Sequence, residues 1–291
     1  MFKGSIVALI TPFINDQIDE AAFVRLLNWH VDQGTEAVVV CGSTGESFTL
    51  RRNEQARLIE LAVKTIAGRI PVIAGTAAID TAQTIELTQQ AESLKADGVL
   101  IITPPYIKPS QEGLYQYYKA VAENTALPII LYNNPTRTAV TLEVETVVRL
   151  ASISNIVGLK DATQQLERAT LIRAAVGPDF CLMGGEDALV AGYLAQGGSG
   201  SITCMANVAP KLCAQMVRAW HDRDMDTFTR MRDQLVPLSR SLFVETNPCP
   251  VKYAMSLLGF CEAGLRSPLQ SVNENSKQQI LSTMKALGLV A

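Results

Sequence analysis

The chain has 291 residues, 48% of them apolar, with 19 glycines and 13 prolines, enough to bury a full core in one large domain with an appendage. Its net charge of −3, from 25 Lys and Arg against 28 Asp and Glu, gives no basic field for a phosphate backbone, which excludes nucleic acid as the expected partner. Six scattered cysteines (Cys41, Cys181, Cys204, Cys213, Cys249, Cys261) form no CxxC pair, and His30 and His221 are the only histidines; neither a zinc site, a metal-dependent aldolase nor a disulfide framework is expected.

The N-terminus, Met1-Phe2-Lys3-Gly4, runs into a short apolar strand stopped at Thr11-Pro12 and lacks the length and cleavage site of a signal peptide. No stretch approaches the roughly eighteen apolar residues that cross a bilayer. Buried thiols in a reducing cytoplasm are the expected state of the cysteines. β-branched runs then recur at Ile6–Ile10, Ala37–Cys41, Pro71–Ala74, Gly98–Ile102, Pro128–Tyr132, Ile156–Lys160, Phe180–Met183 and Gly200–Thr203, each followed by an amphipathic stretch. In the first such stretch His30 shares an apolar face with Phe23, Leu26, Leu27 and Val31 and reads as a packing histidine; His221 falls at a helix end. Asp80 before Thr81 and Ser110 before Gln111 read as helix caps. Eight strand–helix repeats predict an α/β fold, a closed (β/α)8 barrel over residues 1–223. Residues 224–291 read as a small C-terminal helical appendage, with helical patterns at Asp226–Val244, Pro250–Leu258 and Asn273–Leu287, broken at Asn247-Pro248 and Ser267-Pro268.

In such barrels the working groups project from the C-terminal ends of the strands. Lys160 closes the apolar run Asn155-Ile156-Val157-Gly158-Leu159-Lys160-Asp161. Lysines also close buried strands by snorkelling to solvent, but desolvation at such a place drives the amine toward its neutral, nucleophilic form. Ser43 and Thr44 follow the second strand, Tyr106 the fourth, and Tyr132 and Arg137 belong to the fifth and its loop. Strand period two aims Lys160 and Gly158 into the barrel, with Gly158 leaving room beside the amine and Val157 and Leu159 facing the helices. With a 2-oxo acid in this site, Lys160 forms an imine whose protonated form draws electrons and turns C3 into an enamine nucleophile. A Tyr132 phenol coupled to the Ser43 hydroxyl is suited to the proton transfers, and Ser43-Thr44-Gly45 to holding the carboxylate on backbone amides and a hydroxyl. Arg137 is suited to bidentate capture of a second carboxylate. Gly185 is expected to give the substrate backbone room, Ile202 to contact it, and Glu186 or Asp187 to cap the next helix. Gly197-Gly198-Ser199-Gly200 precedes the eighth strand, at the wrong face for a phosphate cradle, and reads as a helix C-cap and turn. No cofactor is implied.

The segments GSTGES, TPPYIKPSQEGLYQYY, LYNNPTRT, IVGLKDAT, GGEDA and NPCPVKYA, spread over nearly the whole chain, closely resemble the dihydrodipicolinate synthase (4-hydroxy-tetrahydrodipicolinate synthase) family, one of the pyruvate-dependent class I aldolases that also include N-acetylneuraminate lyase. The resemblance implies pyruvate bound to Lys160 as a Schiff base, a proton relay of Tyr132, Ser43 and Tyr106, and a homotetramer, a dimer of dimers, in which Tyr106 comes from a neighbouring subunit. It implies that Thr44 helps hold the pyruvate carboxylate and that Arg137 receives the carboxylate of L-aspartate 4-semialdehyde, on the route to lysine and diaminopimelate. Ser43-Thr44 departs from the usual Thr-Thr and matches the neuraminate lyases, whereas Arg137 is absent from the sugar-acid lyases. At the positions where lysine-sensitive members bind the inhibitor through Asn, Glu and Tyr, this chain has Ile79, Gln83 and Pro105, and weak or absent inhibition by lysine is expected. Another pyruvate-dependent aldolase would share Lys160 and Tyr132 but take a different acceptor, and Arg137 distinguishes it. A non-catalytic 2-oxo-acid binding protein is opposed by the intact Lys160, Tyr132 and Ser43. A phosphate-binding barrel enzyme using a flavin or a metal is disfavoured by the misplaced glycines and missing ligands.

Overall fold

A computed structural model describes residues 2–291. Eight parallel strands close into a barrel: β1 (Gly4–Ala8), β2 (Ala37–Val40), β3 (Val72–Gly75), β4 (Gly98–Ile102), β5 (Ile129–Asn133), β6 (Ile156–Asp161), β7 (Cys181–Gly184) and β8 (Gly200–Thr203). β1 pairs with both β2 and β8, so no strand edge is left open. The predicted run at Ile6–Ile10 lies two residues late, because its ladder starts at Gly4; Leu9 and Ile10 are buried beyond it.

Alternation along each strand builds two apolar layers. Ile6, Ile73, Leu100, Ile130, Met183 and Ile202 fill the interior, while Val7, Val38, Leu131, Leu159 and Leu182 face the surrounding helices. β6 breaks the rule once. Ile129 pairs with Ile156 but Ile130 pairs with Gly158, so Val157 is an extra, bulged residue. Contrary to the simple period-two reading, Val157 packs against the interior cluster. The bulge resets the alternation, and Gly158 and Lys160 still point inward. The space at Gly158 serves β7: a Cβ there would lie 2.6 Å from the Cys181 carbonyl oxygen and 2.7 Å from its Cβ.

The helical caps expected at Asp80 and Ser110 form, accepting from the Gln83 and Gly113 amides. Gly197, at φ +94, ends the helix Val190–Ala195 as expected, and the Gly198 amide returns to the Tyr193 carbonyl. His30 is fully buried with Nδ1 3.0 Å from Thr35 Oγ1, and burial pushes its imidazole down to about 3, as a neutral packing group requires. His221 lies in the last turn of Pro210–Asp222. Five of the six cysteines are buried and Cys261 is partly so.

A hairpin that periodicity did not predict, Phe13–Ile14 with Gln17–Ile18, turns through Asn15 (φ 51) and Asp16 (φ 63). Two consecutive left-handed residues are what a tight hairpin turn demands, and Asn-Asp tolerates them well. Beyond Arg223, the helices Met225–Ser241, Cys249–Leu257 and Glu274–Ala286 follow. Their buried faces join the outer barrel core without a gap, through Phe228, Leu235, Leu238, Ala254 and Ile280. No helix among the described residues is long and apolar enough to cross a membrane.

Candidate active site

At the C-terminal mouth of the barrel lies a cavity of about 530 Å³, lined by Ser43, Thr44, Tyr132, Arg137, Lys160 and Gly185 among others. Six of the eight residues singled out in the sequence therefore converge on one space. The other two do not. Ile202 is wholly enclosed in the interior layer opposite Ile6 and does not line the cavity. Tyr106 is 87% exposed with φ +76, and its side chain points to solvent.

Lys160 sits side by side with Tyr132, its partner in the β5–β6 register. Its side chain is 5% exposed and Nζ lies 4.3 Å from the centre of the Tyr132 ring. Among the described residues no carboxylate comes within ion-pairing distance of Lys160. The place that lets its stem lie flat is Gly185: a Cβ there would stand 2.9 Å from Lys160 Cε and 3.0 Å from Cγ. Gly185, not Gly158, thus supplies the room beside the amine, and the beneficiary is the lysine itself.

The Tyr132 hydroxyl accepts from Asn134 Nδ2 at 2.9 Å, and Asn134 Oδ1 is held by the Thr136 hydroxyl at 2.7 Å. The expected Tyr132–Ser43 coupling is not formed; Ser43 lines the cavity, partly exposed. The amides of Ser43 and Thr44 donate to no group among the described residues, leaving oriented N–H donors for an anion. Thr44 Oγ1 accepts from Asn247 Nδ2 at 3.0 Å and lies 3.1 Å from Cys204 Sγ. Burial pushes the Cys204 thiol up to about 12, so this sulfur stays protonated. Arg137, on the short turn Pro135–Thr138, donates through Nη2 to the Asn247 carbonyl at 2.9 Å and presents the rest of its guanidinium to the cavity.

Glu186 and Asp187 cap no helix that follows them. The Asp187 carboxylate accepts from the backbone amides of Cys204 (3.2 Å) and Met205 (2.5 Å), fastening the end of β8 to the loop after β7. Burial raises its carboxyl to about 6, against those two amides and the positive charge of Lys160. Glu186 lines the cavity, and burial likewise raises its carboxyl, opposed by Gln164 and Lys160.

Sequence reasoning missed Asn134, Cys204 and the C-terminal contributors Phe243, Glu245, Thr246 and Asn247. Asn247 belongs to the NPCPVKYA segment, where its neighbours mark only a helix break. Nothing in its local sequence reveals that it meets Thr44, 203 residues away.

The profile of the dihydrodipicolinate synthetase family matches residues 1–287. A curated relative, 4-hydroxy-tetrahydrodipicolinate synthase of Parvibaculum lavamentivorans, is 49% identical over 290 residues covering 100% of each chain. Among solved structures, dihydrodipicolinate synthase from Aquifex aeolicus aligns at 42% identity with a TM-score of 0.97 over 99% of each chain. The Acinetobacter baumannii synthase, solved in complex with pyruvate, aligns at 39% and 0.97 over 100% of each. With the closed barrel, the inward lysine and full-length agreement all in place, the chain belongs to the dihydrodipicolinate synthetase family.

Proposed function

We propose that the protein condenses pyruvate with L-aspartate 4-semialdehyde to 4-hydroxy-tetrahydrodipicolinate through a Schiff base on Lys160. The observation that carries this reading is a buried lysine without a counter-ion, sharing one cavity with Arg137. Nζ adds to C2 of pyruvate and the carbonyl oxygen departs as water, giving an iminium. Loss of a C3 proton yields the enamine, whose C3 bonds to the aldehyde carbon. The amino group of the acceptor then attacks C2, and Lys160 leaves as the ring closes. The Ser43 and Thr44 amides with the Thr44 hydroxyl receive the pyruvate carboxylate, and Arg137 the acceptor carboxylate. Tyr132 and Ser43 serve the proton transfers, a bound carbinolamine bridging two hydroxyls that do not touch in the free enzyme.

Tyr106 joins this relay from a neighbouring copy in a homotetramer. Its exposure supports the reading, as do Phe48 (55% exposed) and Ile107 (51%) at the same mouth. Residues 1–223 form the catalytic barrel and 224–291 the C-terminal helical part of a cytoplasmic enzyme. Lysine is expected to inhibit weakly or not at all. Ile79 is an exposed apolar side chain, and Gln83 engages its side-chain amide with Asp80; half-inhibition at submillimolar lysine would contradict this.

The test is condensation of the two substrates by purified protein, read through an NADPH-dependent reductase of the product, alongside borohydride trapping of pyruvate. Turnover supports the reading. Trapping without turnover refutes the acceptor and points to a different aldehyde.

A further inference from the structure

The deepest ion pair in the molecule lies outside the cavity. Lys252 Nζ and Glu46 Oε1 are 2.7 Å apart and both side chains are fully buried. The second Glu46 oxygen accepts the Arg266 amide at 3.1 Å. Phe13 completes the enclosure, its ring centre 4.2 Å from Lys252 Nζ and 4.5 Å from the Arg266 guanidinium carbon. Burying two charges costs several kcal/mol per ion, and an apolar pair of similar volume is often no less stable. Stability alone therefore gives little reason for such a pair, and its location suggests another.

Glu46 ends the loop that carries Ser43 and Thr44, and it sits at φ +56, a left-handed backbone that a non-glycine residue keeps only under constraint. Lys252 lies on the helix Cys249–Leu257, immediately preceded by Asn247-Pro248. One short stretch of the C-terminal region therefore grips the loop at two points: Asn247 Nδ2 on Thr44 Oγ1, and Lys252 Nζ on Glu46 Oε1. From the other side the Thr11 hydroxyl donates to the Gly45 carbonyl at 2.8 Å. A flexible loop would leave the Ser43 and Thr44 amides disordered, whereas this one is held at every residue from Thr44 to Glu46.

We infer that Glu46 and Lys252 are positioning residues for pyruvate, fixing the Ser43–Thr44 carboxylate seat over Lys160. The inference rests on the pyruvate half of the proposed function and is indifferent to the acceptor. Neither residue hydrogen-bonds Lys160 or Arg137, and Arg137 meets this stretch only through the Asn247 carbonyl, so the larger effect falls on the 2-oxo-acid step.

The experiment compares wild type with Glu46→Gln/Lys252→Met, which removes both charges, roughly keeps shape, and leaves a side-chain amide oxygen at position 46 to accept the Arg266 amide. Urea unfolding, pyruvate KM, semialdehyde KM and the pyruvate dependence of borohydride trapping are measured. The expected result is a folded protein destabilised by at most about a hundredfold in its unfolding equilibrium, as one unpaired buried amide gives. Pyruvate KM and half-saturation of trapping are raised about tenfold, as loss of one to two hydrogen bonds' worth of orientation gives, and semialdehyde KM is unchanged. Wild-type pyruvate KM and trapping in a stable double variant overturn the inference, as does an equal rise in both KM values. If the double variant does not fold, Glu46→Asp keeps both charges but withdraws the carboxylate by one methylene, so that Lys252 holds the loop in a displaced position. A rise in pyruvate KM alone supports the inference, and unchanged pyruvate KM overturns it. Trapping reports on pyruvate even if no condensation is found, so failure of the acceptor assignment and failure of this inference are read separately.

Discussion

Lys160 and Lys252 are the same residue in comparably dry surroundings, 5% and 0% exposed, yet the protein treats them in opposite ways. Lys252 meets a carboxylate at 2.7 Å, and burial pulls its ammonium down while Glu46 holds it up. Lys160 has a tyrosine ring beside it and a glycine beneath it, with Asp187 turned away onto two backbone amides. A buried ammonium with a tight partner is fixed in place by it. One whose neighbouring carboxylate is already occupied by backbone amides keeps an unpartnered Nζ facing the cavity, within reach of a carbonyl carbon. What separates the two lysines is how the nearby oxygens are engaged, not depth.

Exchanging the two lysines' fates is the sharpest way to break that contrast. Lys160→Ala is expected to abolish both borohydride-trapped pyruvate and condensation, with a thermal midpoint lowered less than in a Lys252 variant, because packing but no ion pair is lost. A midpoint lowered as far as in a Lys252 variant would erase the distinction. Lys252→Met leaves Glu46 buried and alone, and should cost about 3–5 kcal/mol of stability by urea unfolding. A loss under about 1 kcal/mol would mean that water reaches Glu46.

Gly185→Ala probes the space rather than the charge. Its Cβ would crowd Lys160 Cε at 2.9 Å, a side-chain end that can move, so the protein should fold while kcat falls by about 10–100-fold through a displaced amine. Normal kcat would show that the lysine stem has slack. The smallest effect concerns Asp187. Its carboxyl ordinarily titrates near 3.8 and is raised to about 6 in the fold. A raised carboxyl favours the protonated native state, so its contribution to stability is complete below about 4 and is lost as pH rises through 6. Asp187→Asn should flatten that part of the stability–pH curve between about pH 4 and 6, measured by urea midpoints at closely spaced pH values; an unchanged slope would assign it to other groups.

The barrel was legible because its signals are local. Eight β-branched runs, their intervening amphipathic stretches and the caps at Asp80 and Ser110 all lie within a few residues of what they specify. Lys160 was legible for the same reason, as a charge closing an apolar run. The bulge at Val157 was not, since an extra strand residue is defined only by its partner on β5. Asn247 and the Glu46–Lys252 pair were invisible for a stronger version of that reason. They join positions 203 and 206 residues apart, and such contacts leave no periodicity in either segment. Tyr132 shows the intermediate case, in which the residue could be picked out but its hydrogen-bond partner, Asn134 rather than Ser43, depended on how one loop turned.

The Arg266 clasp bears on how the chain is made. Its guanidinium reaches Glu54 at 2.6 Å and the Asp16 carbonyl at 2.8 Å, and its amide holds Glu46. Glu46 is synthesised early, but its two partners, Lys252 and Arg266, follow 206 and 220 residues later. During translation the loop carrying Ser43 and Thr44 is therefore made long before the three residues that anchor it from the C-terminal region, Asn247, Lys252 and Arg266. Its native contacts can be complete only after residue 266 has been added to the chain.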